Sequence, residues 1–352
     1  MKIEDLDTPC ILVDRRIAEA NLARAQAYAD EHRLPLRPHI KTHKLPLFAH
    51  RQIELGAIGI TCQKIGEAEV MADAGITDIF IPYNILGRAK LQRLRVLHDR
   101  ITLSVTADSE TTVAGYGGYF ADAGHPLPVL VECDTGAGRC GVQSQQEAVA
   151  LARSIASRPG LRFDGLMTYP PRGQLAKVNE WLETAKAELA RAGLEARRIS
   201  SGGSPEFYSA AEVTAATEHR PGTYIYSDRM QVEHGLGSLS DCALTVLATV
   251  VSRPAPDRAV LDAGSKSLAA DRCSAPGHGH IVEYPEAVVA SLSEEHGVVD
   301  LSKCVRKPEV GERVRVIPNH VCVVSNLFDV VHISQDGETA EAVKVAARGR
   351  VR

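Results

Sequence analysis

The chain has 352 residues, of which 44% are hydrophobic and 5% aromatic, and its formal net charge is −4. This length suffices for one large barrel with a smaller domain, or for two domains of ordinary size. The slight acidity, and the absence of a basic stripe interleaved with aromatic residues, argue against nucleic acid or an anionic membrane as the main partner.

The amino terminus and the cysteines indicate the compartment. Residues 1–7 are acidic and lack the apolar core of a secretory signal. The longest apolar stretches, such as 243–251, are too short to span a bilayer. The eight cysteines include no Cys-x-x-Cys pair, which is typical of reduced thiols and not of a disulfide framework. We therefore expect a cytoplasmic protein with no membrane partner.

Short β-like segments alternate with helical patterns through the first two thirds of the chain. In the helical segments, as in 178–192, apolar residues recur every three or four positions. Eight strands alternating with helices predict an α/β fold, a parallel (β/α)8 TIM-type barrel over residues 15–235. The alternative is a doubly wound open sheet, but no Gly-x-Gly-x-x-Gly opens a helix after the first strand. The predicted strands cover 34–39, 58–63, 78–84, 101–108, 128–134, 163–169, 197–202 and 223–228.

The remainder of the chain has the pattern of a mostly-β domain. From about residue 240, β-branched runs are separated by Gly, Pro and Asp turns. We expect a C-terminal β domain built from residues 236–352 together with 1–14, which would contribute a strand at 10–13. Its other predicted strands cover 244–251, 259–262, 313–317, 321–324 and 330–333.

Lys41 is the first candidate for catalysis. It lies in the segment Arg-Pro-His-Ile-Lys-Thr-His-Lys (37–44), at the end of the first predicted strand. In such barrels the working residues lie at the carboxyl ends of the strands. A lysine there can attack a carbonyl and form a Schiff base, the chemistry of pyridoxal 5'-phosphate (PLP). A basic surface turn is the alternative. The other predicted strand ends carry Gln63, Asn84, Asp134, Tyr169 and residues 224–228.

A run of small residues after the seventh predicted strand suits a phosphate group. Backbone N–H groups can approach an anion closely there, and a helix is predicted to start at Ser204 with Pro205 in its first turn. An ordinary turn and helix cap is the alternative. The residues of this predicted phosphate cradle are Ser201, Gly202, Gly203, Ser204, Gly222, Thr223 and Tyr224.

Arg139 is surrounded by glycines in the segment Cys-Asp-Thr-Gly-Ala-Gly-Arg-Cys-Gly (133–141). A tightly folded backbone would aim its side chain into a site, where it could keep the phenolic oxygen of PLP anionic. A salt bridge to Asp134 or Glu132 is the alternative. Tyr169 could bond to the cofactor or the substrate, or it could only pack.

His320 and Cys322 are the candidate metal ligands. Residues two apart in a strand point to the same face, so both side chains could bind one ion. Two ligands leave positions open for water and substrate, and a thiolate with an imidazole favours zinc, with manganese or cobalt able to substitute. A buried core histidine beside a cysteine is the alternative. His278 and His280 show the same spacing and are a competing metal pair.

Taken together, these motifs resemble the D-threonine aldolase and D-serine dehydratase family, alanine-racemase-like PLP enzymes of fold type III. The resemblance runs nearly end to end and includes residues 6–9, 37–44, 138–142 and 318–329. It implies a barrel, a C-terminal β domain and a homodimer. It also implies that Lys41 binds PLP, that Arg139 and Tyr169 line the cofactor beside Gln63, that 201–204 and 222–224 hold the phosphate, and that His320 and Cys322 bind a divalent metal.

The branch within this family is open. Residues 62–69 and 138–141 look like the aldolases, whereas His-x-Cys in place of His-x-Asp looks like the dehydratases. After Tyr169 the aldolase pattern has a glycine and a nearby histidine, where this chain has Pro-Pro-Arg-Gly-Gln-Leu (170–175). Arg172 could recognise a second substrate carboxylate there, or it could be a solvated loop residue.

The leading prediction is a lyase that cleaves a D-β-hydroxy-α-amino acid to glycine and an aldehyde. The alternative is a dehydratase acting on D-serine or D-3-hydroxyaspartate, which gives a 2-oxo acid and ammonia. An amino-acid racemase, which needs no metal, is a more distant alternative. A non-catalytic PLP carrier and a metallohydrolase barrel without PLP are further classes.

Overall fold

The computed structural model describes residues 1–352. They divide into two compact units, which we call the β unit and the barrel unit. The β unit comprises residues 1–24, 42–45 and 223–349, and the barrel unit comprises 25–41, 46–222 and 350–352. Compared with the expected bounds, residues 15–24, 42–45 and 223–235 group with the β unit, and residues 350–352 group with the barrel unit. None of the helices combines the length and the apolar character that crossing a bilayer requires.

A seven-stranded parallel sheet forms the barrel unit. The first strand of the chain, β1 (Cys10–Asp14), belongs to the β unit. The next seven pair in sequence order, each with the one before it: β2 (Ile60–Thr61), β3 (Asp78–Ile81), β4 (Thr102–Ala107), β5 (Leu127–Cys133), β6 (Leu161–Thr168), β7 (Arg198–Ser201) and β8 (Glu218–His219).

The segment 34–39 stands in the eighth position of this sheet. Leu36 bridges to His219 of β8, and His39 bridges to Thr61 of β2. The segment therefore joins both edges of the sheet, and the predicted (β/α)8 fold is confirmed. The strand predicted at 223–228 is wrong, because β8 ends at His219 and residues 223–225 form a 3-10 helix. Pro221 has no N–H to donate to a ladder, which explains why the strand does not extend further.

Helices pack on the strands through apolar stripes. In the longest barrel-unit example, buried residues recur at three- and four-residue spacing: Val178, Leu182, Ala185 and Leu189. The helices are α1 (Arg15–His32), α2 (Pro46–Glu54), α3 (Ile65–Asp73), α4 (Arg88–His98), α5 (Glu110–Phe120), α6 (Gln145–Ser157), α7 (Leu175–Arg191), α8 (Arg229–Glu233), α9 (Ser265–Leu268) and α10 (Val321–Leu327).

The β unit contains the remaining strands. β1 pairs antiparallel with β9 and parallel with β15, so the predicted role of the amino-terminal strand is confirmed. The strand predicted at 321–324 is wrong, because α10 begins at Val321. The strands are β9 (Leu244–Ala255), β10 (Arg258–Leu261), β11 (Gly279–Ile281), β12 (Val288–Leu292), β13 (Gly297–Asp300), β14 (Arg313–Pro318), β15 (Val330–Ser334) and β16 (Ala340–Lys344).

A network of charges, most of them buried, lies near the amino ends of the barrel strands, and we call it the barrel floor. Its members are Arg37, Asp78, Asp164, Arg198 and Glu218. Glu218 accepts from Arg37 at 3.0 Å and from Arg198 at 3.2 Å, and Arg198 also reaches Asp164 at 3.2 Å. Arg37 pairs with Asp78 as well. Each charge therefore has at least one partner of opposite sign.

Candidate active site

Lys41 lies in a 3-10 turn, Ile40–Thr42, directly after the bridge formed by His39. The Lys41 backbone N–H donates to Nδ1 of His39 at 3.4 Å, and Nε2 of His39 lies 2.9 Å from Oε1 of Gln63. Both contacts are satisfied by one neutral tautomer, with the proton on Nε2. The predicted residues Lys41 and Gln63 are thus joined through His39, while the Lys41 side chain is exposed.

Arg139 and Tyr169 lie together in the barrel unit. The guanidinium carbon of Arg139 is 4.7 Å from the centroid of the Tyr169 ring, a cation–π contact. The predicted alternative of a salt bridge to Asp134 is not observed, since that carboxylate accepts from the backbone N–H of Gly136 (2.9 Å) and of Gly138 (3.1 Å). The loop therefore orders itself through Asp134 and leaves Arg139 exposed and without an ion pair.

The predicted phosphate cradle has the close approaches that explain its glycines. Gly202 has φ +98°, and a Cβ there would overlap the ring of His219. A Cβ on Gly203 would lie 2.7 Å from the Tyr169 ring. Ser204 begins the predicted helix, a 3-10 helix with Pro205 in its first turn, and its Oγ accepts from the backbone N–H of Gly222 at 3.0 Å. The turns after β7 and β8 are therefore tied together.

A cavity of about 240 Å³ borders the cradle, lined in part by Tyr169, Arg172, Gly202 and Gly203. Ser201 and His219 also belong to its lining, and the Ser201 Oγ and His219 Nε2 atoms are buried without a hydrogen-bond partner. Burial lowers the pKa of His219 to about 3, so this imidazole is neutral. A buried polar atom without a hydrogen-bond partner costs about 1–3 kcal/mol of stability. Such atoms are therefore typical of places where a ligand or a water molecule binds. The barrel unit therefore fits a cofactor with an anionic group.

The sequence reasoning gave no role in the site to two buried charged residues, and one of them, Glu132, appeared only as a possible partner of Arg139. Arg220, at the end of β8, donates to Thr168 O at 2.6 Å and to Ser200 Oγ at 2.8 Å, and burial lowers its pKa to about 10. Glu132, near the end of β5, has its pKa raised to about 7 by burial, an effect that Arg139 and Arg220 partly oppose. The available signal was a charge near the carboxyl end of an apolar strand.

The candidate metal ligands lie at the start of α10 in the β unit, not in a strand. His320 is the N-cap residue and Cys322 lies in the first turn, and the two side chains are within hydrogen-bonding reach of each other. The Cys322 Sγ also lies 3.2 Å from Thr42 Oγ1 and 3.8 Å from Thr223 Oγ1. Imidazole and thiolate converging on one point are the donor set that zinc prefers.

Asp228, which the sequence reasoning left without a role, supports His320. Its Oδ2 lies 2.9 Å from Nδ1 of His320. Burial opposes protonation of His320, but Asp228 and Cys322 raise its pKa to about 10. Nowhere in the chain do three or more His, Cys, Asp or Glu side chains gather as a metal cluster, so a metal at this pair would keep open positions. The competing pair His278 and His280 stays a prediction.

The fold and the candidate site together define an alanine-racemase-like enzyme. Its features are a lysine at the carboxyl end of a barrel strand, the predicted phosphate cradle, and a β unit with a His/Cys pair. The alanine racemase N-terminal domain family matches residues 13–230, and the serine dehydratase domain family matches residues 243–334. D-threonine aldolase of Arthrobacter is 37% identical over 98% of this chain and 93% of that protein. The chain therefore belongs to the alanine-racemase-like family that includes D-threonine aldolases and D-hydroxyaspartate dehydratases.

Solved structures agree with this assignment. D-threonine aldolase from Filomicrobium marinum superposes with a TM-score of 0.92 at 32% identity, covering 100% of this chain and 98% of that one. D-threo-3-hydroxyaspartate dehydratase from Delftia superposes with a TM-score of 0.89 at 27% identity, covering 97% and 98%. Two further solved structures are variants of D-threo-3-hydroxyaspartate dehydratase. In one, a histidine is replaced by alanine. In the other, a cysteine two positions further along the chain is replaced by alanine, and this structure is of a metal-free form.

Proposed function

We propose that this chain is a PLP- and divalent-metal-dependent lyase that cleaves a D-β-hydroxy-α-amino acid, such as D-threonine, to glycine and an aldehyde. The observation that supports the proposal most is the contact between the His320–Cys322 pair and the residue that follows Lys41. Its thiol lies 3.2 Å from the hydroxyl of Thr42, and Thr42 directly follows Lys41. The lysine proposed for the Schiff base is thus the sequence neighbour of a residue that contacts the proposed metal pair.

The residues present suit both groups. When bound, PLP supplies an electron sink for the bond that breaks, and a divalent ion held by His320 and Cys322 supplies Lewis acidity for a hydroxyl. Lys41 would hold the cofactor through its amine and take up a proton when it is displaced by the substrate amine. Arg139 presents a positive charge beside the Tyr169 ring, where it would hold an anionic oxygen.

The cradle would serve to position the cofactor. Gly202 and Gly203 leave room for an anion next to His219 and Tyr169, and the start of the 3-10 helix at Ser204 adds backbone donors. The Ser204–Gly222 hydrogen bond would keep that recess in shape. Thr223 stays a prediction for the phosphate, and its hydroxyl lies 3.8 Å from the Cys322 Sγ.

Dehydration of D-serine or D-3-hydroxyaspartate is the second candidate. The specific observation in its favour is the His-x-Cys spacing at residues 320–322, which matches the spacing of the two substituted residues in the Delftia dehydratase. Arg172 is exposed at the cavity beside Tyr169 and is available for a second carboxylate, which hydroxyaspartate has and threonine lacks.

A product assay decides between the two reactions. Purified protein with PLP and zinc or manganese is offered D-threonine, D-serine and D-3-hydroxyaspartate, each with its L-enantiomer as control. We expect glycine and acetaldehyde from D-threonine. Ammonia and 2-oxobutyrate would mean a dehydratase. Interconversion of enantiomers that survives thorough chelation would mean a racemase and would contradict the metal role.

The homodimer and the cytoplasmic location are also part of this proposal. The support for reducing surroundings is that all eight cysteines are free, including the exposed Cys140. One chain has a mass of 37.9 kDa, and light scattering after size-exclusion chromatography should give twice that value. A single-chain mass would remove the dimer and leave the lyase chemistry untouched.

A further inference from the structure

Asp228 is a fully buried carboxylate with three nitrogen atoms around it. Its Oδ2 lies 2.9 Å from Nδ1 of His320 and accepts from the backbone N–H of Val321 at 3.1 Å. Its Oδ1 accepts from the backbone N–H of Gln231 at 2.9 Å, which caps α8. Asp228 is 0% exposed, so water cannot replace any of these contacts. Both oxygens therefore have partners within the β unit.

This arrangement decides which nitrogen of His320 carries the proton. An ionised carboxylate can only accept, so the imidazole must donate from Nδ1. In the neutral ring the lone pair is then on Nε2, the nitrogen left free to bind a metal ion together with Cys322. The backbone contact to Val321 fixes the same oxygen relative to the start of α10, so the ring is held in orientation as well as in tautomer.

We propose that Asp228 is the positioning residue that prepares His320 for metal binding, by holding the proton on Nδ1 and directing Nε2 to the ion. The inference rests on the proposed function, because it concerns the metal pair of that site. It adds a residue 92 positions away in sequence that touches neither the ion nor the substrate. A carboxylate behind a metal-bound histidine typically changes metal affinity about 10–100-fold.

Asp228→Asn tests the proposal with nearly unchanged shape. An asparagine can still cap α8 by accepting from Gln231 with its oxygen, but it then presents an NH2 group to His320 and to the backbone N–H of Val321. The imidazole must accept at Nδ1, which moves its proton to Nε2 and blocks metal binding. We expect zinc affinity of the PLP-loaded protein, measured by competition with a chelator, to fall about 10–100-fold. The thiolate-to-cobalt absorption of the cobalt-loaded protein should weaken in parallel.

Two further variants separate the possible outcomes. Ser109→Ala removes a matched helix cap, since Ser109 accepts from the N–H of Thr112 at the start of α5 and has no assigned role in the site. It should lose stability without losing zinc. His320→Ala should lose zinc outright. Unchanged affinity in Asp228→Asn, with a loss in His320→Ala, would overturn the inference alone. Unchanged affinity in His320→Ala would overturn the metal site of the proposed function.

The wild-type protein provides a test that does not depend on a variant folding. Long-range proton–nitrogen spectra of the zinc-loaded, PLP-loaded protein report which imidazole nitrogen carries hydrogen, with the His320 signal assigned by its absence from His320→Ala. We expect a proton on Nδ1 and a metal-bound Nε2. A metal-bound Nδ1, or a proton on Nε2, would overturn the proposal.

Discussion

The two ends of the barrel unit differ in whether their charged side chains form ion pairs. We call the end with the carboxyl ends of the strands, where Lys41, Glu132 and Arg139 lie, the mouth. At the floor, Glu218 is held between Arg37 and Arg198, and its pKa falls to about 2 because these arginines outweigh the effect of burial. At the mouth, Lys41 and Arg139 form no ion pair, and Glu132 is buried with its pKa raised to about 7. Each charge of the floor thus has an ion-pair partner, whereas Lys41 and Arg139 at the mouth have none, although Arg139 and Arg220 partly oppose the raised pKa of Glu132.

This difference separates stability from function within one sheet. A buried charge that loses its partner costs several kcal/mol, so a floor that satisfies every charge holds the strand ends in register. Uncompensated charges and shifted pKa values at strand carboxyl ends are typical of sites that bind and react. Changes at the floor should therefore affect folding, and changes at the mouth should affect ligand binding.

The largest expected effect is at the mouth. Lys41→Ala should abolish the visible absorbance of protein-bound PLP and lower lyase activity by at least about three orders of magnitude, while the melting temperature of the cofactor-free protein stays nearly unchanged. Lys177→Ala, which removes an exposed lysine from α7, is the control and should behave as wild type. A Lys41→Ala protein that keeps the absorbance band would assign the Schiff base to another amine.

The second effect, at the floor, is on stability. Glu218→Gln leaves Arg37 and Arg198 buried with too little negative charge, so the free energy of unfolding at pH 7 should fall by about 3–5 kcal/mol. The Glu218 pKa is lowered, so its stabilising contribution is present above about pH 4.5 and is lost as the pH falls towards 2. Urea unfolding at several pH values measures both.

The control for that variant is Glu195→Gln. Glu195 is 78% exposed and pairs only with Arg197 at 3.4 Å, so its loss should cost no more than about 1 kcal/mol. Equal losses in the two variants would show that the floor network contributes no more than a surface pair. The folded fraction of Glu218→Gln should still bind PLP, in contrast to Lys41→Ala.

The smallest expected effect is the pH dependence of stability that Glu132 causes at the mouth. Glu132 titrates near pH 7 in the folded chain and near 4.5 when unfolded, so wild-type stability should decrease by up to about 3 kcal/mol between those pH values. Glu132→Gln should lack this decrease, and its advantage over wild type should grow as the pH rises. Parallel pH profiles for the two proteins, measured by urea unfolding, would contradict the raised pKa.

The periodicity of apolar residues predicted much of the fold. Alternating β-like and helical patterns predicted the barrel, and the helix start at Ser204 with Pro205 was predicted from local chemistry alone. The eighth strand was misplaced, because closure of the sheet depends on Leu36 and His39 pairing with strands on both sides. The sequence predicts a strand at 321–324, because Val-Cys-Val-Val has high β propensity in isolation. The structure places a helix there.

The sequence by itself determined the class of this protein: the strand–helix alternation, Lys41 at a strand end, the glycines of the cradle, and the His320–Cys322 spacing. These are local patterns, and local physics decides them. The tertiary structure alone decided that Asp228 accepts from His320, that Thr42 meets Cys322, and that Glu132 and Arg220 are buried. Hydrogen bonds and desolvation between residues distant in sequence exist only once the chain has folded, which is why no pattern in the sequence predicted them.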